Sequence, residues 1–183
     1  MAELVPDIHK EFIEQSKHGD GRAQLQLYKL YAKAMYNVCM RIVCNEEEAK
    51  DVLQEAFVEA FRNLNSFRYE STFGAWLKRI VVNRSLNALR KNRFSLVYQD
   101  NLPDDIEVQE DVSGEDTVKY SVEKVHKAMI MLPEGARVVF SLYLMEGYDH
   151  TEISQILGIS ESTSKSQYIR AKQLIGNIVK NLN

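Results

Sequence analysis

The chain has 183 residues, 45% of them hydrophobic and 27% charged, with a formal net charge of −3. That balance excludes a generic polyanion binder working through overall charge. Eight glycines and three prolines in a Leu-, Ala-, Glu- and Lys-rich chain favour a mostly helical protein. Two cysteines, Cys39 and Cys44, make no disulfide framework, and with no His nearby they read as small packing residues rather than metal ligands. The N-terminal "MAELVPDIHKEF" lacks the apolar run of a secretory leader, and no stretch suits a bilayer span, so the chain reads as soluble and cytoplasmic, without membrane insertion.

In chain order, "LQLYKLYAKAMYNVCMRIV" places Leu27, Leu30, Tyr31, Ala34, Met35, Val38 and Ile42 at helical spacing. Asn45 then caps a helix with Glu48 three residues on, and Ala49, Val52, Leu53, Ala56, Phe57, Ala60 and Leu64 form its apolar face. On its outer side Asp51, Gln54, Glu55 and Val58 make a narrow stripe, which reads either as a solvated acidic face or as a protein-binding one. A carboxylate metal site there lacks the Glu-x-x-His that a di-iron set needs.

A polar break, "NSFRYEST", precedes a third helix over about Phe73 to Asn92. After Trp76 the charged positions Lys78, Arg79, Arg84, Arg90, Lys91 and Arg93 are all cations, with no acid until Asp100. An aromatic loop beside a cationic helix suits single-stranded nucleic acid: bases stack on rings while cations follow phosphates. Trp76 itself shares a face with Ile80 and reads as core.

Residues 100–118 carry eight acids and no base. This stretch reads as a flexible, self-repelling linker. Beyond it, four helices are expected: about Val118 to Met131; one from Pro133 to a Gly147 cap; a short one capped by Asp149 and Glu152; and, after a Gly158 turn, one capped by Ser160. The last pair makes a helix-turn-helix. On its second helix Ser164, Tyr168, Ala171 and Ile175 share one face, and Lys165, Ser166, Ile169 and Arg170 point the other way. Arg can fork onto guanine, Ser can reach base or phosphate, and an aliphatic can touch a thymine methyl.

"DVLQEAF", "FRYESTFGAWLKRIVVNRSLN" and "GYDHTEISQILGISESTSKSQYIRAKQLI" resemble, in order, the signature segments of extracytoplasmic-function sigma factors of the sigma-70 family. The resemblance implies an all-α fold of two small helical domains, 1–94 and 119–183, joined by an acidic flexible linker at 95–118, with the helix-turn-helix in the second. It implies a transcription initiation factor rather than an enzyme, with no metal or cofactor. Asp51, Gln54, Glu55 and Val58 would contact the clamp of the core polymerase beta-prime subunit, and the second domain the beta flap. Asn65, Phe67, Arg68, Tyr69, Ser71, Lys78, Arg79 and Asn83 would open the minus-10 element and hold its non-template strand, with one base flipped out at a cost of a few kcal/mol. Lys165, Ser166, Ile169 and Arg170 would read minus-35 duplex. The chain would be a monomer when free, restrained by an anti-sigma factor. The rival reading is a dimeric helix-turn-helix regulator on an operator.

Three residues depart from the family pattern. Ser164 stands where an aliphatic residue is usual, so its hydroxyl must find a backbone carbonyl or stay near solvent. Gln167 replaces a common cation and loses a phosphate contact. Leu77 follows Trp76 where primary sigma factors carry a second aromatic wedge, which shifts strand opening onto base capture by the loop.

Overall fold

The computed structural model describes residues 8–92 and 122–181; the expected linker, Arg93 and the outer domain limits lie outside the described residues. Helix α1 spans Lys10–Lys17, α2 Gly21–Val43, α3 Glu46–Arg62 and α4 Phe73–Asn92. Then follow α5 Val122–Ile130, α6 Glu134–Phe140, α7 His150–Leu157 and α8 Glu161–Asn181. No strand occurs among the described residues.

Local chemistry sets the boundaries. The Asp20 carboxylate accepts from Arg22 N at 2.8 Å to start α2, and the Asn45 side chain accepts from Glu48 N at 3.0 Å to start α3. Between them Cys44 ends α2 in the left-handed region at φ 56°. Helices α2, α3 and α4 pack on one another as a bundle. The expected α3 face is buried throughout, from Ala49 to Leu64. On α2 the buried side is rotated from the expected one: Leu27, Met35, Val38, Cys39 and Ile42 face inward, while Leu30 and Ala34 are exposed. Helix α1, which the periodicity did not mark, adds Ile13 and Ser16 to the bundle.

In the second block, the expected helix from Pro133 to Gly147 is α6 followed by a wide π-helical turn over Ser141–Met145, where Glu146 N–H donates five residues back to Ser141 O at 3.1 Å. Gly147 then turns the chain at φ 80°. Asp149 and Glu152 form the expected capping box, and Gly158 ends α7 at φ 70°. The Ser160 hydroxyl accepts from Thr163 N at 3.0 Å to start α8.

The two blocks are not separate bodies. Ala128, Met129, Leu132, Ala136, Phe140, Ala171, Ile175 and Val179 make a core of their own. Val138, Val139, Leu142, Ile153 and Leu157 instead join the buried cluster of the first bundle. The outer side of the helix-turn-helix support is thus packed against α2 and α4.

Candidate nucleic-acid interface

The stripe on α3 is as the spacing demands. Asp51, Gln54, Glu55 and Val58 are all exposed, and Val58 keeps 47% of its surface in solvent. An aliphatic side chain held open among carboxylates and an amide gives a partner an apolar centre with a polar rim. Glu55 also lies 3.6 Å from Arg84 of α4, and Arg84 pairs again with Glu59. The cationic run therefore has counter-charges after all, supplied by another helix.

The loop between α3 and α4 is held rather than loose. Tyr69 sits at φ 60°, a left-handed conformation that costs a bulky residue about 1 kcal/mol or more. Its hydroxyl donates to Glu14 Oε1 at 2.6 Å, and Lys17 Nζ stands 4.7 Å over its ring. The Tyr69 hydrogen bond, then Lys17, holds the Glu14 carboxyl below its ordinary value. Lys17 also donates to Phe67 O at 3.3 Å. Helix α1 thus anchors the loop, and Asn65, Arg68 and Ser71 are carried at its surface with Ser71 half-buried.

Phe67 does not present a free ring. It is 3% exposed, packed between Tyr69, Phe73 and Trp76 at centroid distances of 4.7, 5.8 and 5.4 Å. As placed, it cannot stack a base; it shapes the loop from beneath. Trp76, half-buried against Phe67 and Phe73, braces the helix as expected.

The outer face of α4 meets the second block. Arg79, Asn83 and Val82 line one cleft with Tyr148, Glu152, Gln155 and Ile156. Arg90 donates to Ile156 O at 3.2 Å. Lys78 Nζ donates to Glu146 O at 2.8 Å and lies 3.7 Å from the Glu146 carboxylate. Arg41 of α2 grips the same carboxylate through Nη2 and Nε. Arg41, Glu146 and Tyr148 were not marked by the sequence, because no local pattern joins positions about a hundred residues apart.

On α8 the reading face stays open. Lys165, Ser166 and Ile169 are exposed and Arg170 is half-buried at its stem. Lys165 pairs with Glu161 one turn back at 2.6 Å, a bond that lowers the Glu161 pKa. The Ser166 hydroxyl donates to Ser162 O at 3.0 Å. Behind this face Ser164 is fully buried, and its hydroxyl finds neither a carbonyl nor solvent: it bonds His150 Nδ1 of α7 at 2.9 Å. His150 in turn stacks on Tyr143 at 4.4 Å, and Tyr143 meets Tyr168 at 4.5 Å. A polar pair walled by rings fixes the angle between the two helices.

Family models match both blocks: sigma-70 region 2 over residues 27–95 and sigma-70 region 4 over residues 123–175. The sigma-H factor of RNA polymerase from Pseudomonas aeruginosa is 30% identical over 184 residues, covering 94% of each chain.

This chain belongs to the extracytoplasmic-function sigma factors of the sigma-70 family.

The SigW sigma factor of Bacillus subtilis is 27% identical over 191 residues, covering 94% of this sigma factor and 97% of SigW. The sigma factor RpoE of Bartonella quintana, solved with the anti-sigma factor NepR, shares the fold with a TM-score of 0.56 at 21% identity, covering 85% of this chain and 95% of that one. As a member of the family the chain is an alternative-sigma transcription initiation factor, a DNA-binding regulator that works with RNA polymerase. No helix among the described residues is long and apolar enough to cross a membrane.

Proposed function

We propose that this sigma factor docks on core RNA polymerase through Asp51, Gln54, Glu55 and Val58, reads minus-35 duplex with Lys165, Ser166, Ile169 and Arg170, and captures the minus-10 strand with the Asn65–Thr72 loop and the Lys78–Asn83 face. It acts in the cytoplasm, contributes no chemistry of its own, and lends the polymerase two DNA-reading surfaces. The observation that supports this most is the Tyr69 loop. A bulky residue kept at positive φ and tied to α1 by an ion-supported hydrogen bond is strain retained beside exposed Asn65 and Arg68. Strain of that kind gathers where a surface must be preformed for a ligand.

Arg68 and Asn65 then meet phosphate and base edge, while buried Phe67 supports them from below. Region 4 contributes the helix-turn-helix and the beta-flap contact. An anti-sigma factor is the natural restraint, as in the NepR complex of the Bartonella quintana protein.

The test is reconstituted transcription with core polymerase on fragmented genomic DNA. Wild type initiates at a defined set of start sites, whereas Glu55→Lys weakens binding to core by about tenfold, since a reversed charge faces a cationic partner. Unchanged core affinity would remove the α3 stripe from the scheme. A dimer that footprints a palindrome without polymerase would replace it with the operator-binding reading.

A further inference from the structure

Glu146 is the most deeply placed ion-paired acid in the described structure. Its side chain is 4% exposed, while those of its partners Arg41 and Lys78 keep 14% and 28%. A carboxylate is rarely so buried unless cations and hydrogen bonds replace its water. Here the cations belong to the region 2 bundle and the acid to region 4. Arg41 sits in the last turn of α2 and Lys78 near the start of α4, and these two helices pack directly on each other. The cation pair therefore stays assembled whether or not Glu146 is present.

What the pair is built to hold can be read from its donors. Arg41 offers two N–H groups of a guanidinium fork to one oxygen, and Lys78 reaches a second oxygen and a backbone carbonyl. A fork and a point charge converging on several acceptor oxygens of a single negative group also match a phosphodiester. Two residues beyond Glu146, across the Gly147 turn, Tyr148 lays its ring within 5.9 Å of Lys78 Nζ and lines the cleft with Arg79 and Asn83. An anion followed by a planar ring, on the face proposed to hold an unstacked strand, has the chemical order of a phosphate and its base.

We propose that Arg41 and Lys78 form a phosphodiester site for the promoter single strand, and that Glu146 and Tyr148 occupy it in the free chain as a stand-in for one nucleotide. The inference rests on the minus-10 reading given above and adds Arg41, a residue of α2, to it. It also makes strand capture and closure mutually exclusive. Minus-10 and minus-35 elements are about 25 base steps apart, about 85 Å at ~3.4 Å per step. In the closed chain α7 lines the α4 cleft and α8 packs on α7, which at helix spacings of about 10 Å keeps both readers far closer than that. Core polymerase must part the blocks, and parting them vacates the site.

The experiment uses the full-length chain without polymerase and a fluorescein-labelled 15-nucleotide oligo-dT as probe, since a backbone site does not need a promoter sequence. Wild type binds weakly. Glu146→Gln removes the competing charge and tightens binding about tenfold, because the open fraction rises. In that background Arg41→Ala abolishes the gain and flattens the slope of log affinity against log salt by about 0.7, the value for one single-strand phosphate. Arg41→Lys keeps the slope. Arg41→Ala is made in the Glu146→Gln background because alone it both loosens closure and removes the site. Circular dichroism checks the fold. If Glu146→Gln loses its helical signal, Glu146→Asp replaces it and gives a smaller gain in the same direction. No gain in either variant, or equal affinity and slope with and without Arg41, overturns the site. A wild-type chain that fails to initiate with core polymerase overturns the sigma reading instead, so the two failures are told apart.

Discussion

Helices α4 and α8 each carry cations beside a polar reader, Asn83 on one and Ser166 on the other, yet they meet opposite environments. The α4 face is covered: Lys78, Arg79, Asn83 and Arg90 all abut region 4. The α8 face looks outward, and its one ion pair is an exposed contact within the same helix, worth little in water. The difference teaches that a DNA-reading face is not automatically available. Region 2 holds its reader in reserve, while region 4 displays its own.

The largest expected effect tests that contrast directly. Arg170→Ala should weaken minus-35 duplex binding by about 10- to 100-fold, or ~1–3 kcal/mol, in the free chain and the holoenzyme alike. Asn83→Ala should leave the free chain unaffected and impair only melting by the holoenzyme. Fluorescence anisotropy on duplexes and permanganate reactivity of promoter thymines measure the two. A loss for Arg170→Ala that is equal on every template would argue against base reading there. Normal reactivity in Asn83→Ala would return that residue to the bystanders.

A smaller effect concerns how the open face is aimed. Ser164→Ala leaves His150 without its buried partner and should lower the thermal stability of region 4 by about 1 kcal/mol. Combining His150→Leu with Ser164→Val should recover part of the loss, and a double-mutant cycle reads the coupling. Additive effects would mean that the 2.9 Å contact does not orient the helix.

The smallest effect lies on the covered side. Glu14 has a pKa lowered from 4.5 in the folded chain. Its stabilising contribution is therefore complete above about pH 4.5 and fades as pH falls through the depressed value. Partial release of the Tyr69 loop should follow in that acid window, seen as a change in amide hydrogen exchange at Tyr69. Glu14→Gln should make the exchange insensitive to pH after correction for intrinsic rates; retained sensitivity would place the tether elsewhere.

Much of this architecture is legible in the chain. The α3 face from Ala49 to Leu64, the α4 limits, the Asp149 capping box and the split of α8 into Ser164 and Arg170 sides follow from periods and caps, which are local. What escaped was long-range. Helix α1 is only 8 residues, too short for its period to stand out. Leu30 was assigned inward because a helical stripe is broad, and only packing against α3 and α4 decides its edge. Phe67 looked like a base platform because a loop aromatic gives no sign of which way its ring turns. The pairing of Lys78 with Glu146 spans 68 residues, and charge counting along α4 could not foresee it. Ser164 is the instructive middle case: its burial was readable, whereas its partner sat on another helix.

The wide turn at Ser141–Met145 has a consequence at the level of the gene. It spaces a hydrogen bond five residues apart where an α-helix would use four, so it accommodates one amino acid more than a regular helix needs. Losing a single codon there would let α6 wind on regularly and would rotate everything beyond it by about 100°. Glu146 and Tyr148 would then swing away from α4 with their identities untouched. Insertion or deletion of one triplet, rather than substitution, is the shortest mutational route between a closed lineage and an open one.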